Sequence, residues 1–224
     1  MRIKFCGMTN IEDAREAARL GAWAIGLIHH RHSPRFCEPT VAAEIGAELK
    51  RQLEVVGVFV NPTLDDLARS AENESLTMLQ LHGDEGPAFC REAARRTGCR
   101  VIKAFRVRGV ADVRAAEAHR TALHLFDAHR PGAPGGTGES FDWELVSKRR
   151  SSVPMILAGG LRPENVGEAI AVAKPAAVDV VTGVEAEPGR KDHARMAAFA
   201  NEARTSSPEA QPRPDPDHEP EAVG

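Results

Sequence analysis

Along residues 1 to 204, short runs of β-branched and other apolar residues alternate with Ala-, Glu- and Arg-rich segments of helical period. That alternation is the signature of repeated βα units and a parallel sheet. The runs are "RIKFC" (2 to 6), "WAIGLIH" (23 to 29), "EVVGVFV" (54 to 60), "LTMLQLH" (76 to 82), "RVIKAF" (100 to 105), "ALHLFD" (122 to 127), "PMILAG" (154 to 159) and "AVDVVTG" (177 to 183). Helix starts fall between them. "TNIE", from Thr9 to Glu12, reads as a capping box, and "PTLDD" and "RPENV" put Pro and acids where a first turn favours them. Eight strands, each followed by a helix, predict an α/β chain with one domain over 1 to 204, a (β/α)8 TIM barrel. A doubly wound open sheet is the alternative, because strand count alone does not prove closure.

Composition adjusts this picture at the edges. Apolar residues make up 42% of the 224, an ordinary globular share once glycine is added. The last twenty residues, 205 to 224, hold five prolines and five acids with one Arg, so they read as a disordered tail. Their local charge of −4 against −3 for the whole chain leaves residues 1 to 204 at +1. No basic patch suited to nucleic acid stands out. The longest apolar stretches fall well short of the roughly 20 residues of a membrane span, and Arg2 and Lys4 interrupt any signal-peptide core. The expected location is cytoplasmic, and the cysteines at 6, 37, 90 and 99 are expected to be reduced thiols rather than a disulfide framework.

In a barrel, chemistry gathers at the C-terminal ends of the strands. The unusual residues sit there: Cys6-Gly7, "HHRHSPR", Asn61-Pro62, "HGDE" with His82, Arg106, Asp127 with "PGAPGGTG", Gly159-Gly160 and Gly183. Alternation along the first strand puts Lys4 and Cys6 on one face, with Phe5 toward the helices. A core cysteine is the bland reading. With Lys4 in step beside it, the expectation is a thiol of lowered pKa able to act as a base. Asp127 caps a face shared with Leu123 and Leu125, which suits either a loop aspartate or a general acid raised by apolar surroundings. Bare backbone at Gly159, Gly160 and Gly183 suits a phosphate.

Taken in order, "KFCGMT", "SPRF", "VGVFVN", "LQLHGDE", "GGTGESFDW", "ILAGGLRPENV" and "VDVVTGVEAEPGRKD" resemble the signature segments of the phosphoribosylanthranilate isomerase family, over residues 1 to about 203. The resemblance implies an Amadori rearrangement of N-(5-phosphoribosyl)anthranilate to 1-(2-carboxyphenylamino)-1-deoxyribulose 5-phosphate in tryptophan biosynthesis. It also implies no metal or organic cofactor and a small phosphosugar substrate, with the chain a monomer or homodimer. By similarity Cys6 is the general base and Asp127 the general acid. Arg35 would hold the anthranilate carboxylate. Lys4, His82, Gly159, Gly160 and Gly183 complete the substrate site, and "GGTG" looks like a loop folding over the ligand.

One segment departs from the family. In "GLIHHRHSPRF", His29 stands where members usually carry an aromatic, followed by His30 and His32. With no acidic cluster beside them a metal is not expected, and His29 is read as lining the pocket or packing at its rim. Among related barrels, the sugar isomerase of histidine biosynthesis uses aspartate where Cys6 stands, and a ribulose-phosphate epimerase needs metal-binding histidines on several strands. A non-catalytic phosphate-binding barrel would require neither Cys6 nor Asp127.

Overall fold

The computed structural model describes residues 1–127 and 143–206. Eight parallel strands follow one another around a closed barrel: β1 (Arg2–Cys6), β2 (Ala24–Ile28), β3 (Glu54–Phe59), β4 (Met78–Leu81), β5 (Arg100–Arg106), β6 (Leu123–Asp127), β7 (Met155–Ala158) and β8 (Ala177–Val180). Closure comes from β8 pairing back onto β1, with Lys4 opposite Asp179 in the register. The open-sheet alternative is thereby excluded.

Helices α1 (Ile11–Arg19), α2 (Pro39–Leu49), α3 (Leu64–Asn73), α4 (Pro87–Thr97), α5 (Val110–Ala115), α6 (Glu144–Ser147), α7 (Val166–Ala173) and α8 (His193–Thr205) follow the strands in turn. Among the described residues no helix is long and apolar enough to cross a membrane. The expected capping box at Thr9 is displaced by one residue. Asn10 is the N-cap, its Oδ1 accepting from the Asp13 amide at 2.8 Å, while the Thr9 hydroxyl donates to the Gly189 carbonyl. Asp13 also accepts from the Lys191 amide at 2.9 Å and pairs with His193 at 2.8 Å. That buried carboxylate ties α1 to the last two segments of the chain. At α3, Thr63 does cap as its sequence suggests, accepting from the Asp66 amide at 3.1 Å.

The last predicted strand, 177 to 183, is shorter than expected. It stops at Val180, and the chain enters a single 3-10 turn (Thr182–Val184) and then a small antiparallel hairpin, β9 (Glu185–Glu187) and β10 (Arg190–Lys191). Turn geometry cuts the strand: a Cβ at Gly183 would collide with the Leu161 carbonyl oxygen, so only glycine lets the end of β8 lie against the β7–α7 loop.

Alternation divides the core in two. Ile3, Phe5, Ile25, Leu27, Val55, Leu79 and Phe126 point outward and pack under the helices, Phe5 meeting Phe199 of α8 edge-on at 6.1 Å. Small and medium residues such as Ala24, Val56, Ile102, Leu125, Ile156 and Ala177 fill the interior. Losing a buried phenylalanine from the outer layer costs about 3–5 kcal/mol in typical cores. The segments 128–142 and 207–224, which contain "GGTG" and most of the expected disordered tail, lie outside the described residues.

Candidate active site

At the C-terminal mouth of the barrel, β1 delivers Lys4 and Cys6 to the interior as its alternation predicts. Lys4 is fully buried and Cys6 is 3% exposed. Room for the thiol comes from the neighbouring strand: a Cβ at Gly26 would collide with Cys6 Sγ and come within 3.1 Å of Lys4 Nζ. Gly26 is therefore part of the site although it carries no chemistry, and only the spatial neighbourhood reveals it. Beyond Cys6 the chain turns at Gly7 (φ 77°), whose amide and that of Met8 both donate to the Gly26 carbonyl.

Lys4 does not serve the thiol alone. Its ammonium donates to Asp179 Oδ1 at 2.8 Å, with Asp179 5% exposed, a pair set by the register of β1 on β8. Lys4 does pull the Cys6 pKa down, but the expected net lowering is not found. Burial pushes the Cys6 thiol up, Asp179 adds to that, and the pull of Lys4 and Lys191 does not overcome them, so the net shift is upward. Burial alone would pull Lys4 down, but Asp179 and Cys6 outweigh it and hold the ammonium above its ordinary value. The unliganded site is thus a neutral thiol beside a neutralised ion pair at pH 7. Asp179 had one signal in the sequence, a carboxylate in mid-strand in "AVDVV".

Across the mouth, Asp127 ends β6, three strands from β1 by the shorter way round. Its side chain is 25% exposed and its Oδ2 lies 3.5 Å from His82 Nε2, while His82 Nδ1 meets Gln80 Nε2 at 3.0 Å. Arg106 occupies the adjacent register position on β5. Among the described residues, the polar neighbours of Asp127 include His82 and Arg106. His82 and Asp127, predicted separately, are brought together.

Arg35 reaches over the first turn of the site, its Cδ lying 3.1 Å from where a Cβ on Gly7 would stand. Its guanidinium is engaged by Glu185 of β9: Nε donates to Oε1 at 2.8 Å and to Oε2 at 3.1 Å, and Nη2 to Oε2 at 2.7 Å. Glu185 also accepts from Lys191 Nζ at 3.1 Å, and that side chain is fully buried. Burial raises the Glu185 carboxyl, but hydrogen bonds and charge from Arg35 and Lys191 outweigh it and keep the group ionised. Burial pulls Lys191 down despite Glu185. Sequence reasoning quoted this segment, "VEAEPGRKD", without giving Glu185 or Lys191 a task.

Gly159 (φ 92°) and Gly160 (φ 65°) turn the chain after β7, and a Cβ on Gly160 would meet nothing within 4 Å. Gly183 presses on the Leu161 carbonyl, so the two glycine turns are neighbours at the ends of β7 and β8. An approaching anion would meet backbone rather than side chain there.

His29 faces away from the barrel interior. It stacks on Phe59 at 4.4 Å, and its ring nitrogens meet the Leu27 carbonyl at 3.0 Å and Glu74 at 2.5 Å. With Arg31, Phe36 and Arg69 it lines a separate cleft of about 500 Å³ beside α3. His29 therefore does not line the mouth. Among the described residues no three His, Cys, Asp or Glu side chains gather as a metal site.

Set beside known proteins, residues 3–202 match the family described as "PRAI: N-(5'phosphoribosyl)anthranilate (PRA) isomerase". The N-(5'-phosphoribosyl)anthranilate isomerase of Geobacter sp. (strain M21) is 44% identical over 206 residues, 92% of this chain and 99% of its own length. That of Acidithiobacillus ferrooxidans is 47% identical over 206 residues, 91% of this chain and 98% of its own. The crystal structure of the Thermotoga maritima phosphoribosyl anthranilate isomerase superposes with a TM-score of 0.82 at 39% identity, covering 91% of this chain and 98% of that one. A further solved isomerase, TM-score 0.79 at 37% identity over 91% and 98% of the two chains, holds reduced 1-(o-carboxyphenylamino)-1-deoxyribulose 5-phosphate.

Proposed function

The chain belongs to the N-(5'-phosphoribosyl)anthranilate isomerase family of tryptophan biosynthesis, and on that premise we propose that Cys6 and Asp127 divide the reaction between them as base and acid. The reaction converts an aminoaldose, closed as a furanose, into an aminoketose. Asp127 gives its proton to the ring oxygen, the C1–O bond breaks, and the anthranilate nitrogen lone pair forms the C1=N bond of a Schiff base. As the cationic Schiff base forms beside it, the Cys6 thiol gives its proton to water; the thiolate then takes the C2 proton, and the electron pair moves to give an enolamine that tautomerises to the ketone.

The observation that carries this reading is placement. One thiol and one carboxylate stand at strand ends of a single mouth, with the glycine turns after β7 and β8 between them. Arg35 receives the anthranilate carboxylate, His82 contacts the sugar beside Asp127, and Lys4 keeps a positive charge under the thiol. The turns of Gly159, Gly160 and Gly183 take the phosphate. The raised thiol pKa fits a base charged only when needed: the ring-opened Schiff base is cationic when protonated, and a cation near Sγ favours the thiolate.

No cofactor enters this scheme, and the enzyme is read as cytoplasmic, monomeric or homodimeric. One Thermotoga maritima relative is described as a dimeric isomerase turned into monomers. A fluorescence assay with phosphoribosylanthranilate tests the roles. Cys6→Ser and Asp127→Asn are each expected to lower kcat about 100-fold or more, and near-normal kcat in either variant would refute that residue's role.

A further inference from the structure

Nothing in the reaction just described uses the hairpin that follows β8. Two of its charged residues are nevertheless among the most enclosed in the site, Glu185 with its side chain 6% exposed and Lys191 at 0%. A buried carboxylate held by two cations needs a reason to be there, because desolvation makes such arrangements expensive.

Geometry supplies one. A guanidinium offers five N–H donors in a fixed plane. Glu185 takes only the side edge of Arg35, through Nε and one N–H of Nη2. The N–H groups of Nη1 and the second of Nη2 are not used by Glu185, and the second Nη2 N–H with the Nη1 N–H beside it forms the end-on fork that matches a second carboxylate. The side edge is held from the hairpin while the Arg35 stem lies across Gly7, next to the thiol. Lys191 Nζ fixes Glu185 in turn and also donates to the Val181 carbonyl at 3.2 Å, so the carboxylate cannot swing with the arginine. Counting Arg35, Lys191 and Glu185 together leaves one positive charge in surplus, as a site awaiting one anionic group would.

We infer that Glu185 is a positioning residue for substrate choice: by clamping one edge of Arg35, it aims the other at the ortho carboxylate of the aryl ring. This rests on the reading of Arg35 as the carboxylate-binding residue. The consequence is discrimination. An N-(5-phosphoribosyl)arylamine with an ortho carboxylate is favoured over the same compound without it, and the hairpin maintains the margin.

The test is the ratio of kcat/KM for N-(5-phosphoribosyl)anthranilate to that for N-(5-phosphoribosyl)aniline, both measured on the same sample so that the active fraction cancels. Glu185→Gln is expected to shrink the wild-type ratio about tenfold, mainly through KM for the carboxylated substrate. Glu185→Asp, which keeps the charge but shortens the reach, should fall between, and it decides the matter if the Gln variant does not fold. Arg35→Met should shrink the ratio at least as far. If Arg35→Met collapses it and the Glu185 variants keep it within about twofold of wild type, the positioning role is wrong and the Arg35 contact stands. If all the variants retain it, the Arg35 contact itself is wrong, and the inference goes with it.

Discussion

The two sides of the barrel mouth are built on opposite principles. On the β1–β8 side, Cys6, Lys4 and Asp179 are sealed, each at most 5% exposed, and the ion pair that holds them is also part of the barrel's closure. On the β4–β6 side, Asp127 and His82 are partly exposed, at 25% and 20% in their side chains. Enclosure raises the thiol pKa. In the proposed scheme, partial exposure would let Asp127 exchange its proton between turnovers. The difference teaches that stability and catalysis are coupled on one side of this site and separable on the other.

Breaking the sealed side should show the largest effect. Lys4→Met leaves Asp179 buried without its cation, and the expected loss is about 3–5 kcal/mol of unfolding free energy, read by urea denaturation. A loss below about 1 kcal/mol would mean that Asp179 finds water or another donor. Asp127→Asn, by contrast, should remove about 2.7 kcal/mol of transition-state stabilisation, the equivalent of the 100-fold expected above, with little change in unfolding midpoint. A midpoint that fell as far as in Lys4→Met would erase the contrast between the two sides.

Crowding the thiol sharpens the comparison from within. Gly26→Ala puts a methyl group onto Cys6 Sγ, and overpacking of this kind typically costs about 1–3 kcal/mol. Activity should fall with it, since the sulfur has to move, and unchanged kcat would show that Cys6 has other room. Arg35→Ala should act more narrowly, raising KM for the anthranilate substrate about tenfold with a smaller change in kcat.

The smallest effect concerns pH. Cys6 has its pKa raised by burial, and Cys37, also buried, is pushed up to about 12. In the unfolded chain such thiols ionise near pH 8.5. Between the unfolded and folded values the unfolded state holds fewer protons, so stability is complete below that range and declines as pH rises through it. Denaturation midpoints should be flat from pH 7 to 8 and fall above about 9. Alkylation of Cys6 by iodoacetamide, followed by peptide mass, should show a rate–pH midpoint above that of free cysteine. A midpoint near 7 would restore the activated thiolate.

Much of this was legible along the chain. Period-two apolar runs fixed eight strands to within a few residues, and the direction of alternation correctly put Lys4 and Cys6 inside and Phe5 outside. Where the reading failed, competing partners far along the chain were responsible. Thr9 lost its cap to Asn10 because Gly189, 180 residues on, claimed its hydroxyl. Lys4 was expected to leave the thiol beside it with a lowered pKa, but it also bonds Asp179, 175 residues away, and burial raises the thiol despite it. His29, expected to line the pocket or pack at its rim, is turned outward to Phe59 and Glu74.

Periodicity, turn residues and helix-start signals are local, and they were enough to determine the βα order, the closed-barrel expectation and the strand ends on which Cys6, Asp127 and the glycines stand. Family-like motifs pointed to the chemistry. Charge states and orientations were decided only by the closed barrel, because a pKa depends on every charge and on the water excluded around it, and closure is what sets β1 against β8. The same closure folds "VEAEPGRKD" back over "KFCG", joining Glu185 to Arg35 across 150 residues of chain. No pattern along the sequence carries that distance.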